Sequence, residues 1–160
     1  METTEKIVEA YVRYLKGWAT IPNIKCPNQG EIDILAIDPA TGERYQIEVS
    51  ISISGSFSKL TNEPYDPERA KQRTHKPSQR RTLGCFVHKK FSDSGVLETL
   101  ANYGFQPGNF IRVIATYGWT PDAKETDDRQ GIILWDFRQI MREMASVLTG
   151  EKAYLKDDTM

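Results

Sequence analysis

Two acidic residues, Asp33 and Glu48, sit in neighbouring apolar stretches, GEIDILAI (Gly30 to Ile37) and YQIEVSISIS (Tyr45 to Ser54), joined by the turn sequence DPATGE. Side chains alternate along a strand, so Glu31, Asp33, Leu35 and Ile37 share one face of the first stretch. Gln46, Glu48, Ser50 and Ser52 share one face of the second by the same rule. A loop running from Pro39 to Gly42 makes Asp38 face Glu43 and, counting outward, sets Asp33 opposite Glu48 and Glu31 opposite Ser50. Opposed residues have Cβ atoms about 4.5–5.5 Å apart, and like charges there weaken the strand pair. Two readings follow. A divalent cation can offset the repulsion, since Mg²⁺ favours one or two carboxylates completed by water and phosphate oxygens. Alternatively the face is solvated and the pair is tolerated.

The surrounding pattern supplies elements to hold this hairpin. Thr4 to Trp18 places Ile7, Val8, Tyr11, Leu15 and Trp18 at helical spacing before an irregular, Pro-containing link. Asp66 and Pro67 form an N-cap and first-turn pair that opens a basic helix, PERAKQRTH, ended by Pro77. Thr82 to Val87 (TLGCFV) reads as a short strand, and Ser92 or Asp93 caps a helix that runs to Tyr103 and closes at Gly104. FIRVIATY (Phe110 to Tyr117) and GIILW (Gly131 to Trp135) read as buried strands separated by an acidic loop, DAKETDDRQ. A last helix spans Asp136 to Leu148 and ends at Gly150. The expected architecture is α/β (α+β), a mixed central sheet flanked by helices. One domain over residues 1–150 with a tail at 151–160 suits a chain of 160 residues.

With 39% hydrophobic and 27% charged residues the composition is that of a soluble globular protein, and no apolar run approaches a membrane span. The stretch METTEKIVEA has acids where a signal peptide would carry basic and apolar regions, so a cytoplasmic location is expected. Cys26 and Cys85 form no CxxC pair and read as reduced thiols. A net charge of -1 conceals segregation: between Lys59 and Lys90 nine Lys or Arg face three acids. Such a segment forms either a phosphate-binding surface or a solvated basic helix face.

The helix VEAYVRYLKGW, the GEID run and the glutamate of YQIEVS fifteen residues after Asp33 together resemble the PD-(D/E)XK nuclease superfamily, in particular its restriction endonuclease-like and archaeal Holliday junction resolvase-like members. The resemblance runs from about Glu9 to Ser50, with a continuation to Leu148. It implies a restriction endonuclease-like core and Mg²⁺-dependent hydrolysis of DNA phosphodiester bonds, with Mn²⁺ as a substitute ion and branched or structured DNA among the substrates. Glu9, Asp33 and Glu48 would then be the metal ligands. Arg69, Lys71, Arg73, Lys76, Arg80, Arg81, Lys89 and Lys90 would contact the DNA backbone. Relatives that cut two strands act as dimers, so a homodimer is compatible with the resemblance.

The departure lies at Ser50, which stands where the family's E-x-K triplet has lysine. Serine brings a donor and an acceptor but no positive charge. Three accounts stay open. The lysine has migrated, with Lys71 or Lys59 as replacements; Gln46 or Ser50 places the water; or the fold is a catalytically inactive DNA-binding or protein-interaction module. Glu9 also has a plainer reading as the i,i+4 partner of Arg13, and Glu5, one turn earlier, is its substitute at the metal. His75 and His88 lack zinc-site spacing, and no phosphate-cradling glycine loop indicates a nucleotide cofactor.

Overall fold

The computed structural model describes residues 1–51, 59–68 and 82–157, with side chains as far as residue 149. Helix α1 (Thr3–Ala10) continues as a π-helical turn, Tyr11–Leu15, and stops at Gly17, whose φ of 71° is the left-handed conformation that ends helices. Five strands follow: β1 (Ala19–Lys25), β2 (Glu31–Ile37), β3 (Arg44–Ser50), β4 (Phe110–Thr116) and β5 (Ile132–Asp136). They form one sheet in the order β1-β2-β3-β4-β5. Strand β2 is antiparallel to both β1 and β3, and β3, β4 and β5 run parallel. Between β3 and β4 lie α2 (Leu83–Phe86), prolonged by a π-helical turn at Val87–Phe91, and α3 (Ser94–Asn102). Helix α4 (Pro121–Gln130) links β4 to β5, and α5 (Phe137–Asp157) closes the described chain. The molecule is thus a mixed α/β fold with a five-stranded mixed sheet flanked by helices, as the sequence pattern predicted.

Four local expectations are corrected. The Pro-containing link after the first helix is strand β1, which tolerates Pro22 because it lies at the sheet edge. The stretch from Thr82 to Val87 is helical: the Thr82 hydroxyl accepts from the Cys85 N–H, and Leu83 and Phe91 bury one face. The acidic stretch is helix α4, supported by Pro121 in its first turn, Lys124–Asp128 and Glu125–Arg129 ion pairs, and Gly131 at φ 70°. The last helix runs through Gly150 to Asp157. The basic helix is seen only in its opening residues, 67 and 68; its remainder lies outside the described residues.

Apolar side chains fill both faces of the sheet. On one, Val8 of α1, Val12 of the π-helical turn that prolongs it, and Phe137 and Ile140 of α5 pack on Ile34, Ile47, Val113 and Ala115. On the other, Val96 and Leu100 of α3 cover Ile32 and Leu35, while Leu83 and Phe91 join Leu60, Ile114 and Ile132. The polar face of β3 therefore points at the layer formed by α2 and its π-helical turn. Among the described residues no helix is long and apolar enough to cross a membrane.

Candidate active site

The hairpin has the expected loop. Asp38 N–H donates to the Glu43 carbonyl at 2.9 Å, Gly42 N–H donates to the Asp38 carbonyl at 2.7 Å, and Gly42 takes a φ of 76°. The register runs from Ile37↔Arg44 to Ile34↔Ile47, which extends to Asp33 facing Glu48. At that point the ladder ends. The Val49 N–H donates to Asp33 Oδ2 at 2.7 Å, so a carboxylate takes the place of a backbone partner where the strands part. On the other side the β1 ladder skips from Pro22↔Ile34 to Ile24↔Ile32 and leaves out Asn23, held at φ 55°. Asp33 thus lies at an interruption in both of its pairings.

Both carboxylates are buried: Asp33 is 4% exposed, and Glu48 and its neighbour Gln46 are each 0%. A cation meets them. The Lys90 ammonium, carried by the π-helical turn after α2, lies 3.1 Å from Asp33 Oδ1 and 3.1 Å from Glu48 Oε2. It also donates to the Glu31 carbonyl at 3.1 Å. Gln46 ties helix to strand, since its Nε2 donates to the Lys90 carbonyl at 2.8 Å and to Glu48 Oε1 at 2.9 Å. Burial and the nearby Asp33 raise the Glu48 carboxyl well above its ordinary range, against the opposing pull of Lys90 and Gln46. For Lys90, burial works to lower the ammonium, but Glu48 and Asp33 more than reverse it and keep the side chain protonated.

The residues expected at the site divide. Asp33 and Glu48 come together, and Ser50 lies at the end of the same strand face, 8% exposed and paired in register with Thr116 of β4. Glu9 is engaged elsewhere, accepting from the Thr20 hydroxyl at 2.9 Å and from Arg13 at 3.5 Å. Glu5 is the α1 acid that feels the site: burial raises its carboxyl, and Asp33 and Glu31 push the same way, against the Glu2 N–H. Lys59 is exposed beside Gly118, and Lys89 is exposed on the helix surface. Lys71 lies outside the described residues, as do Arg69, Arg73, Lys76, Arg80 and Arg81. Sequence reasoning had placed Lys90 among the backbone-contacting bases. The helical spacing of Leu83, Val87 and Phe91 is the signal that would have turned Lys90 toward the sheet.

Among the described residues no three His, Cys, Asp or Glu side chains are grouped to hold a metal. Two carboxylates suffice for Mg²⁺ when water and phosphate complete its shell. Among the described residues Gln46 Oε1 is buried without a hydrogen-bond partner, and the Asp33 and Glu48 oxygens, each meeting one donor, keep a second lone-pair site, so hard oxygen atoms face the site. The donor set therefore fits a hard divalent ion held by Asp33 and Glu48.

No family model matches the chain, and no curated protein matches it. Among solved structures, a repair endonuclease from Pyrococcus abyssi is similar over 85% of this chain at 14% identity, with a TM-score of 0.47. The match covers 47% of that chain, so this protein spans about half of the neighbour's length. Activity is not inherited at that degree of likeness, and the chemistry has to come from the residues themselves.

Proposed function

We propose that this chain is a PD-(D/E)XK-type nuclease that hydrolyses DNA phosphodiester bonds with the help of Mg²⁺, Mn²⁺ substituting. The observation that carries the reading is the Lys90 ammonium 3.1 Å from both Asp33 and Glu48, which returns to the site the positive charge that Ser50 lacks. The lysine has migrated in sequence, to a helix neither Lys59 nor Lys71 occupies.

Asp33 and Glu48 would hold the divalent ion, which would supply Lewis-acid activation of phosphate and water. The chain's own groups do the rest. Lys90, kept protonated by two carboxylates and with its three N–H groups directed at Asp33, Glu48 and the Glu31 carbonyl, supplies positive charge beside the phosphate as negative charge accumulates there and does not act as a base. Gln46 Oε1, buried beside Glu48 with a free lone pair, accepts from the attacking water and fixes its direction. The Lys59 to Lys90 segment supplies phosphate contacts, so DNA affinity should fall steeply with salt.

The test is cleavage of linear, nicked and branched DNA in Mg²⁺ or Mn²⁺ by the parent and by Asp33→Asn and Glu48→Gln. The parent should cut, and both variants should fold and fail to cut. An Asp33→Asn variant as active as the parent would place the chemistry elsewhere. Binding of DNA by the parent without cleavage in either ion would leave the inactive binding module.

A further inference from the structure

A cleft of about 350 Å³ opens on the far side of the helical segment that carries Lys90. Residues two apart on a helix point to roughly opposite sides, so His88 faces this cleft while Lys90 faces the carboxylates. One wall is a flat π surface, the Tyr65 and His88 rings stacked at 3.9 Å and 12°. Asn62 and Gln130 bring amide groups to the remainder, beside the apolar side chains of Leu83 and Val87.

The stacked rings and the amide groups favour a planar group with hydrogen-bonding edges. The volume is in the range of small-molecule sites and has room for one heteroaromatic ring system. The wall is also held in place. Thr61 and Glu63 carbonyls accept from the Leu83 and Gly84 N–H groups at 2.8 and 3.1 Å, and a Cβ at Gly84 would collide with the backbone of Pro64 and Tyr65. The segment 61–65 is thereby seated directly on α2, and glycine is what lets it approach.

We infer that this cleft receives an unpaired nucleobase of the DNA, stacked on the Tyr65–His88 pair, while the strand's phosphate lies at the Lys90 site. The inference rests on the nuclease reading and narrows its substrate to DNA with an unpaired or easily extruded nucleotide beside the cut. A helix diameter, about 10–12 Å, separates the two positions, which an unstacked neighbouring nucleotide can bridge. Stacking on aromatic side chains tolerates any base, so the selectivity is for unpaired structure and not for sequence.

The test measures binding without divalent ions, using duplexes of equal length that are fully paired or carry one unpaired 2-aminopurine. The parent should bind the unpaired substrate about tenfold more tightly and quench its fluorescence. Tyr65→Ala and His88→Ala should each lose most of that preference while binding paired duplex as before, and Tyr65→Phe should keep it. Equal discrimination by Tyr65→Ala and parent, or no quenching, overturns the cleft as a base site even if cleavage is intact. The preference present in a protein that never cuts in Mg²⁺ or Mn²⁺ overturns the nuclease reading and leaves the base site standing.

Discussion

Glu48 and Asp127 are both 0% exposed, yet their surroundings differ. Glu48 meets the Lys90 ammonium and the Gln46 amide, groups brought from a helix and from its own strand. Among the described residues, Asp127 on α4 has both carboxylate oxygens without a hydrogen-bond partner. Burial pushes the Asp127 carboxyl up to about 7, with Asp128 adding to the effect and Lys124 opposing it. An isolated buried acid resolves its cost by keeping a proton; at Glu48 burial and Asp33 also raise the carboxyl, but a cation and an amide pull against the rise. The contrast separates a site arranged to use charge from a position that avoids it.

Removing the cation should erase the difference, and this is the largest effect expected. Lys90→Met should lower cleavage by roughly 10²- to 10³-fold, the scale of losing a donor aimed at developing charge. It should also destabilise the fold by up to about 3 kcal/mol, because two buried carboxylates lose their partner. Millimolar Mg²⁺ should raise the melting temperature of the variant more than that of the parent, since a divalent ion replaces the lost charge. A variant equally stable with and without Mg²⁺ would argue against a divalent ion on this carboxylate pair.

Asp127→Asn probes the other half of the comparison. Below pH about 4 the carboxyl is protonated both folded and unfolded and contributes no pH dependence. Between that value and about 7 the unfolded chain ionises while the folded chain keeps its proton, so stability falls as pH rises, and above 7 it is level. The variant should lack this slope and be more stable than the parent at pH 8 by roughly 2–3 kcal/mol. Chemical denaturation at pH 5 and pH 8 reads the difference directly. Cleavage should be unchanged once both proteins are folded.

Gln46→Met keeps the side chain's length and removes its two donors. The helix then loses its tie to β3 and the attacking water loses its acceptor, and a kcat lower by about tenfold with an unchanged KM is expected, equivalent to about 1.4 kcal/mol. A rise in KM alone would make Gln46 a substrate-binding group instead of one that positions Lys90.

The hairpin was legible because its information is local: the turn residues set the loop, and the two-residue alternation carries the register from Asp38/Glu43 to Asp33/Glu48. Strand β1 was obscured by Pro22 and by Asn23 in a left-handed conformation, features that normally argue against a strand. Helix α4 looked like a loop because its buried face is only Ala123 and Asp127, although its caps were readable. TLGCFV carries residues favoured in strands, and tertiary packing against Leu60 and Ile114 decided for helix. Lys90 was the hardest to place, since its approach to Asp33 joins residues 57 apart in the chain and depends on how that helix packs on the sheet.

The acid contributed by α1 gives the smallest and most discriminating test. The resemblance assigns this role to Glu9, whose carboxylate is already occupied by Thr20 and Arg13. Glu5 is partly buried and is raised by burial and by Asp33 and Glu31, the signature of a group within electrostatic reach of the site. Neutralising Glu5 removes negative potential from the carboxylate pair; neutralising Glu9 breaks a contact between α1 and β1 and leaves that potential in place. Glu9→Gln should therefore change Mg²⁺ affinity less than twofold and lose at most about 1 kcal/mol of stability. Glu5→Gln should weaken Mg²⁺ binding by about threefold to fivefold, measured calorimetrically without DNA, in line with the loss of a nearby charge in partly solvated surroundings. The reverse ranking would return the metal-facing role to Glu9 and would require α1 to turn toward Asp33 when the ion binds.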